Sequence, residues 1–266
     1  MKKLLFAGLA AVSLLSLCAP ACAMALRVST PKIILELAPG ETYSGEILAE
    51  NSDAEDLKIR LYMEDWEYIN GATGEKKFSP KGTTPMSASN WITFTPTNEV
   101  IPPYGKMTVR YTITVPQDVK GAYFSVLFME SLMGASQDEE GVNVLVAGRV
   151  GALILIEIKG TGVREGKIES VKLQAPKGNE PLVIETLFAN TGNVDIALGG
   201  NFMIMDAQGK IFGRGELAKV YTFPGMTESS KTQWVGRLTP GDYQVLLTYD
   251  LGKGKTLVEE KTLSVA

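Results

Sequence analysis

The sequence predicts an all-β protein, two immunoglobulin-like β-sandwich domains in tandem after a cleaved signal peptide. Three observations carry this. Short segments of alternating apolar and polar residues recur between turn residues at the spacing of sandwich strands. No stretch keeps a helical period. The run Lys159-Gly160-Thr161-Gly162-Val163-Arg164-Glu165-Gly166 breaks the pattern between two such blocks. The predicted organisation is a signal peptide over 1–25, a first sandwich over 26–159, a linker over 160–166 and a second sandwich over 167–266.

The N-terminal residues set the compartment. Met1-Lys2-Lys3 is basic, residues 4–17 are apolar or small, and Ala21-Cys22-Ala23 and Ala23-Met24-Ala25 each offer an A-x-A cleavage site. The apolar core is shorter than the roughly 20 residues of a permanent span, so cleavage and export are expected. A lipoprotein would be cut before Cys22, but Ala19-Pro20 stand where an aliphatic residue belongs. No second apolar run of that length follows, and no stable membrane insertion is expected.

Both cysteines, Cys18 and Cys22, leave with the signal, and the chain has no histidine. The mature protein then lacks the commonest general base, the strongest nucleophile and the soft metal ligands. No catalysis, no cofactor and no metal site are expected. Loss of Lys2 and Lys3 leaves 24 basic against 30 acidic residues, a net charge of −6. Such a surface suits neither nucleic acid nor anionic lipid.

In the first block strands are expected at 27–37, 42–51, 57–68, 91–94, 106–115, 121–132 and 142–159, the count for one sandwich. Ala38-Pro39-Gly40-Glu41 and Pro102-Pro103-Tyr104-Gly105 supply turns. Val109, Tyr111, Ile113 and Val115 alternate with Arg110, Thr112 and Thr114, the period of a strand with one buried face. Pro116 ends that strand for want of an N–H donor, and Trp91 reads as a core anchor beneath it. The polar excursion over 68–90 reads as loop, with one short hairpin at Asn70-Gly71 and Thr73-Gly74.

Glu64-Asp65-Trp66-Glu67-Tyr68 places carboxylates beside aromatics, as glycan sites do, but strand alternation separates Asp65 and Glu67 from Glu64. An edge strand with a charged solvent face is expected there. Asp138-Glu139-Glu140 lacks the spacing of a calcium loop and reads as solvated charge. Gly160, Gly162 and Gly166 precede no helical pattern, so they read as linker and not as a phosphate loop.

The second block repeats the plan, with strands expected at 168–173, 182–190, 201–206, 210–213, 233–235, 242–250 and 256–265. Asn190-Thr191-Gly192-Asn193, Asp206-Ala207-Gln208-Gly209 and Thr239-Pro240-Gly241-Asp242 punctuate it. Nothing in it points to a ligand.

Several pieces of the first block carry a family resemblance. They are Glu50-Asn51-Ser52; Asn90-Trp91-Ile92-Thr93-Phe94-Thr95-Pro96; the strand from Met107 to Pro116; the stretch from Gly121 to Glu130; and Arg149-Val150-Gly151-Ala152-Leu153. In order and spacing they resemble the pilus-chaperone (PapD-like) superfamily, with similarity to the WxL-interacting surface proteins. The resemblance implies that the last strand of the first domain supplies a missing strand to a subunit, with alternate side chains filling the subunit's groove. Val142, Val144 and Val146 have that alternation, and Val150, Ile154, Ile156 and Ile158 continue its parity. From Val150 onward the residues are expected to face their own core. For Val142 to Val146 a partner's groove and their own core remain equal readings. The resemblance also implies a basic pair gripping the subunit's terminal carboxylate, which places Arg27 on the first strand and Arg149 or Gly151 on the last.

The implied function is an exported, non-catalytic factor in the assembly of pili or another surface structure, periplasmic, with a protein subunit as partner, pilin-like in the implied case. The alternative is a secreted or cell-surface adhesion module in contact with the cell wall, binding peptidoglycan, glycan or an envelope protein.

Overall fold

A computed structural model describes residues 25–137, 143–178 and 180–265. Residues 1–24 with the cleavage site after Ala23, Asp138-Glu139-Glu140 and Val142 lie outside the described residues. The first block contains β1 (Leu26–Val28), β2 (Lys32–Leu37), β3 (Thr42–Asn51), β4 (Leu57–Asn70) and β5 (Glu75–Pro80). A single 3-10 turn (Ser89–Trp91) leads to β6 (Ile92–Thr95), β7 (Asn98–Ile101), β8 (Lys106–Thr114), β9 (Ala122–Gln137) and β10 (Asn143–Ile158). One sheet has the order β1-β3-β8-β6; the facing sheet is β2-β10-β9-β4-β5, with β7 paired to β4.

The core between these sheets follows the period-2 pattern. Val109, Tyr111, Ile113 and Val115 are buried against Ile59, Leu61 and Met63 of β4, Leu127 and Met129 of β9, and Ile154, Ile156 and Ile158 of β10. Each such side chain contributes about 1.5–3 kcal/mol by leaving water. The expectation that β10 turns Ile154, Ile156 and Ile158 onto its own core is met.

The second block contains β11 (Gly166–Gln174), β12 (Leu182–Asn190), β13 (Ile196–Met205), β14 (Ile211–Glu216), β15 (Val220–Thr222), β16 (Thr227–Trp234), β17 (Gly241–Gly252) and β18 (Lys255–Val265). Its sheets are β11-β12-β16 and β14-β13-β17-β18, with β15 on β13. Ile184, Phe188, Phe202, Val245 and Leu247 fill the space between them, and the buried Tyr249 hydroxyl is matched by Thr186 Oγ1 at 2.8 Å.

Several sequence expectations are corrected. The strand expected over 27–37 is two: β1 pairs with β3, whereas β2 crosses to the other sheet and pairs parallel to β10. The break falls at Ser29-Thr30-Pro31, where Pro31 has no N–H for a ladder. The excursion after Tyr68 does contain a hairpin, whose return strand is β5. Trp91 is only half-buried; its ring lies 4.3 Å from that of Tyr123. In the second block, β15 has no counterpart among the expected strands, and β16 begins six residues before the expected 233.

The largest correction concerns residues 64–68. β9 pairs with β4 only from Arg60 to Glu64 and β5 with its other side from Glu64 on, so what fails over 64–68 is the charged solvent face. Asp65 faces no solvent. Its carboxylate accepts the backbone N–H groups of Thr83 at 2.8 Å and Thr84 at 3.0 Å, the Ser87 hydroxyl at 2.6 Å and the Ser89 hydroxyl. Burial alone would push this carboxyl up, but those donors outweigh it and hold it below the usual aspartate range. A depressed folded-state pKa adds stability that is complete above the unfolded-state pKa of about 3.9 and is lost as pH falls from there through the folded-state value. Asp65→Asn is therefore expected to cost about 1–3 kcal/mol at neutral pH. Urea melts should show the difference from wild type shrinking as the pH is taken below 4, because only the wild type has this contribution to lose.

Candidate protein-binding site

β10 has an open edge. It pairs with β9 along its whole length, from Asn143 opposite Gln137 to Glu157 opposite Ala122. On its other side β2 covers only Leu153 to Ile158. Among the described residues no strand covers the edge from Asn143 to Ala152, which leaves a row of ladder groups free to pair with another chain.

The apolar face of β10 runs out along that edge. Ile154, Ile156 and Ile158 are fully buried and Val150 is half-buried, all on the core face. The same parity continues to Val146, which is 42% exposed, because the sandwich has ended beneath it. Val146 lies opposite Gly134 and Ala147 opposite Leu132, so residue 133 is an extra residue on β9 and the parity of β10 is undisturbed. Val144 lies in β10 opposite Ser136, on the same parity; Val142 lies outside the described residues.

Arg27 and Arg149 are not brought together. Leu26 and Val28 pack inward from β1, so Arg27 leaves the outer face of its sheet, opposite Glu50. Val150 packs inward from β10, so Arg149 leaves the outer face of the other sheet. Its guanidinium lies 4.1 Å over the Phe128 ring and 3.2 Å from both the Tyr62 hydroxyl and a Glu64 carboxylate oxygen. The two cations lie on opposite sides of the sandwich, each beside a carboxylate of this chain.

Another cation, Lys76, lies where the sandwiches meet. Trp66, Tyr68 and Phe124 project from the outer face of the β4–β9 sheet and are covered by the second sandwich. Phe223 stacks on Phe124 at 4.2 Å and lies 5.2 Å from Trp66 and 4.9 Å from Tyr68, while Tyr221 stacks on Tyr68 at 5.5 Å. The Lys76 ammonium on β5 lies 5.3 Å from the Tyr68 ring centre and 5.7 Å from that of Trp66. Burial pulls its pKa down, and the charge of Lys32, on β2, pulls in the same direction. Lys32 also stands near Asp195, whose carboxyl is pushed up by burial. Lys32 and Lys76 thus come from the two end strands of one sheet path, and the Lys32 charge is felt at Lys76, a relation that sequence spacing did not reveal.

The connecting segment is tied down rather than free. Arg164 donates to Glu157 at 2.6 Å and to the Asp195 carbonyl at 2.8 Å, and Lys253 joins Glu157 at 2.7 Å to Glu36 at 2.9 Å. Burial would raise the Glu157 carboxyl, but hydrogen bonding from Lys253 and the nearby Arg164 charge hold it below the usual range. Gly121, at φ 83°, lets the chain reach Asn193: the Ala122 N–H donates to the Asn193 carbonyl at 3.1 Å, and a Cβ on Gly121 would lie 2.3 Å from that oxygen.

No family model and no curated protein matches the chain. Fimbrial chaperones recur among the solved structures it is similar to. The class 5 fimbriae chaperone CfaA is 17% identical with a TM-score of 0.46, over 89% of this chain and 98% of that one. The CsuC–CsuE chaperone–tip adhesion subunit pre-assembly complex from the Csu pili of Acinetobacter baumannii is matched at 14% identity and a TM-score of 0.43, over 88% and 97%. The E. coli chaperone DraB is matched at 11% identity and a TM-score of 0.40, over 91% and 99%.

Proposed function

We propose that this protein is an exported, non-catalytic chaperone-like factor that acts in the periplasm in the assembly of pili or another surface structure. It holds a β-rich subunit by letting a strand of that subunit pair with the open edge of β10. The observation that carries this reading is the continuity of one strand: its core face is buried in the sandwich at Ile154 and emerges, on the same parity, at the exposed Val146 beside an unpaired edge. Main-chain hydrogen bonds give such an addition its affinity, and alternate side chains its specificity.

Lys32 and Lys76 take the part that the resemblance assigned to Arg27 and Arg149. The two lysines carry like charge, and an incoming terminal carboxylate would offset it while accepting charge-assisted hydrogen bonds. Co-purification from the native envelope tests the proposal. A β-rich subunit is expected with the wild-type protein, and the double substitution Lys32→Gln with Lys76→Gln is expected to weaken its binding about tenfold to a hundredfold, as for the loss of charge-assisted bonds worth 1.5–3 kcal/mol. Retention on purified cell wall with no protein partner would overturn the assembly reading in favour of adhesion. Undiminished binding by the double variant would remove the lysines from the site.

A further inference from the structure

The β9–β10 ribbon has a second open edge, on the side away from the one proposed to hold the subunit. The ladder between β4 and β9 runs from Glu64 opposite Val126 to Arg60 opposite Glu130 and stops there. β4 continues back to Leu57 with β7 on its far side, while β9 continues to Gln137 with β10 on its far side. The extra residue 133 lies in this stretch of β9, and a bulge bends the strand that carries it. The two strands part as a fork. Among the described residues no strand lies between them, and a groove of about 810 Å³ opens there.

The lining of the groove has a definite character. Val100 and Leu132 present apolar surface on its two walls, the latter 69% exposed. At the apex Arg60 and Glu130 stand opposite each other and offset one another in charge. The rest of the lining sets Asp53, Glu55, Asp56 and Glu99 against Lys58 alone. Unpaired strand edges recruit an extended chain, and a lining of this sign selects a positively charged one.

We propose that this groove seats an extended cationic segment of a partner protein, its lysines or arginines against Asp56 and Glu99 and its alternate apolar residues against Leu132 and Val100. The site is separate from the β10 edge, since the two edges flank the same ribbon on opposite sides. One molecule can therefore hold a subunit on β10 and a second protein in the fork at the same time.

Fluorescence anisotropy with a labelled peptide of about ten residues alternating lysine and valine tests this, with a glutamate–valine peptide as the control. The lysine peptide is expected to bind at least about tenfold more tightly, and its binding to weaken as sodium chloride rises from about 0.05 to 0.5 M. Asp56→Lys with Glu99→Lys, both exposed positions, should reverse the preference between the peptides without lowering the melting temperature. Leu132→Asp should weaken both peptides, and Val146→Asp, on the other edge, should weaken neither. Equal binding of the two peptides, or indifference to the charge reversal, would overturn the proposal. So would loss of binding in Val146→Asp, which would place the peptide on β10. Because the readout is peptide affinity and not subunit capture, its failure leaves the function proposed for β10 untouched.

Discussion

Val146→Asp is expected to abolish capture of the subunit while leaving the protein folded. In the free protein this side chain is 42% exposed beyond the end of the sandwich, so a carboxylate there stays hydrated. Surface changes of this kind alter stability by no more than about 0.5 kcal/mol. In the complex the same position would lie in the apolar groove of the subunit. Burying an unpaired carboxylate costs several kcal/mol, and about 3 kcal/mol is already a hundredfold in affinity. Titration of subunit against the variant should therefore show at least about a hundredfold loss, with an unchanged thermal transition. Val144→Asp, on the same parity, should behave alike. Ile154→Asp should not, because it places a charge in the fully buried core of the first sandwich and unfolds it. A Val146→Asp variant that still captures the subunit at wild-type strength would eliminate strand addition at β10.

Where the protein could be read from its sequence, local periodicity was the reason. The alternation from Val109 to Val115 fixes β8 and its buried face without reference to any other strand, and the even-numbered residues of β10 declare their core face in the same way. What could not be read depends on contacts between distant segments. The alternation in Glu64-Asp65-Trp66-Glu67-Tyr68 correctly separates two faces, but it cannot say that Ser87 and Ser89 satisfy Asp65 on one and that Phe223 covers Trp66 on the other. A stretch with buried residues on both faces, one of its three carboxylates among them, therefore resembles a strand with a charged solvent face. The failed pairing of Arg27 with Arg149 is of another kind. The signal was present, since apolar Leu26 and Val28 flank Arg27 and Val150 follows Arg149, and each neighbour turns its arginine outward. Lys32 and Lys76 carried no such signal, since they lie on the two end strands of a five-strand path that sequence spacing does not reveal.

Trp66→Ala is expected to produce the largest loss of stability. The indole is fully buried, donates its N–H to the Ser125 carbonyl at 3.0 Å and lies within 5.4 Å of the rings of Tyr68, Phe124 and Phe223. Truncating a buried aromatic costs about 3–5 kcal/mol through lost transfer energy and the cavity left behind. Because the same ring packs on both sandwiches, the substitution also weakens their coupling. Calorimetry should show a lower transition that splits or broadens as the two sandwiches melt separately. Phe223→Ala opens the same cluster from the side of the second sandwich. Its loss should be of the same order, about 3–5 kcal/mol, and the splitting as pronounced, for the coupling passes through the same contacts. The consequence for function follows from position. Lys32 and Lys76 stand beside the junction while the β10 edge lies along the first sandwich, and a subunit engaging both depends on their fixed separation. Phe223→Ala should then weaken subunit capture although it touches neither the edge nor the lysines. Capture at wild-type strength by a Phe223→Ala protein that melts in two steps would show that the β10 edge alone holds the subunit.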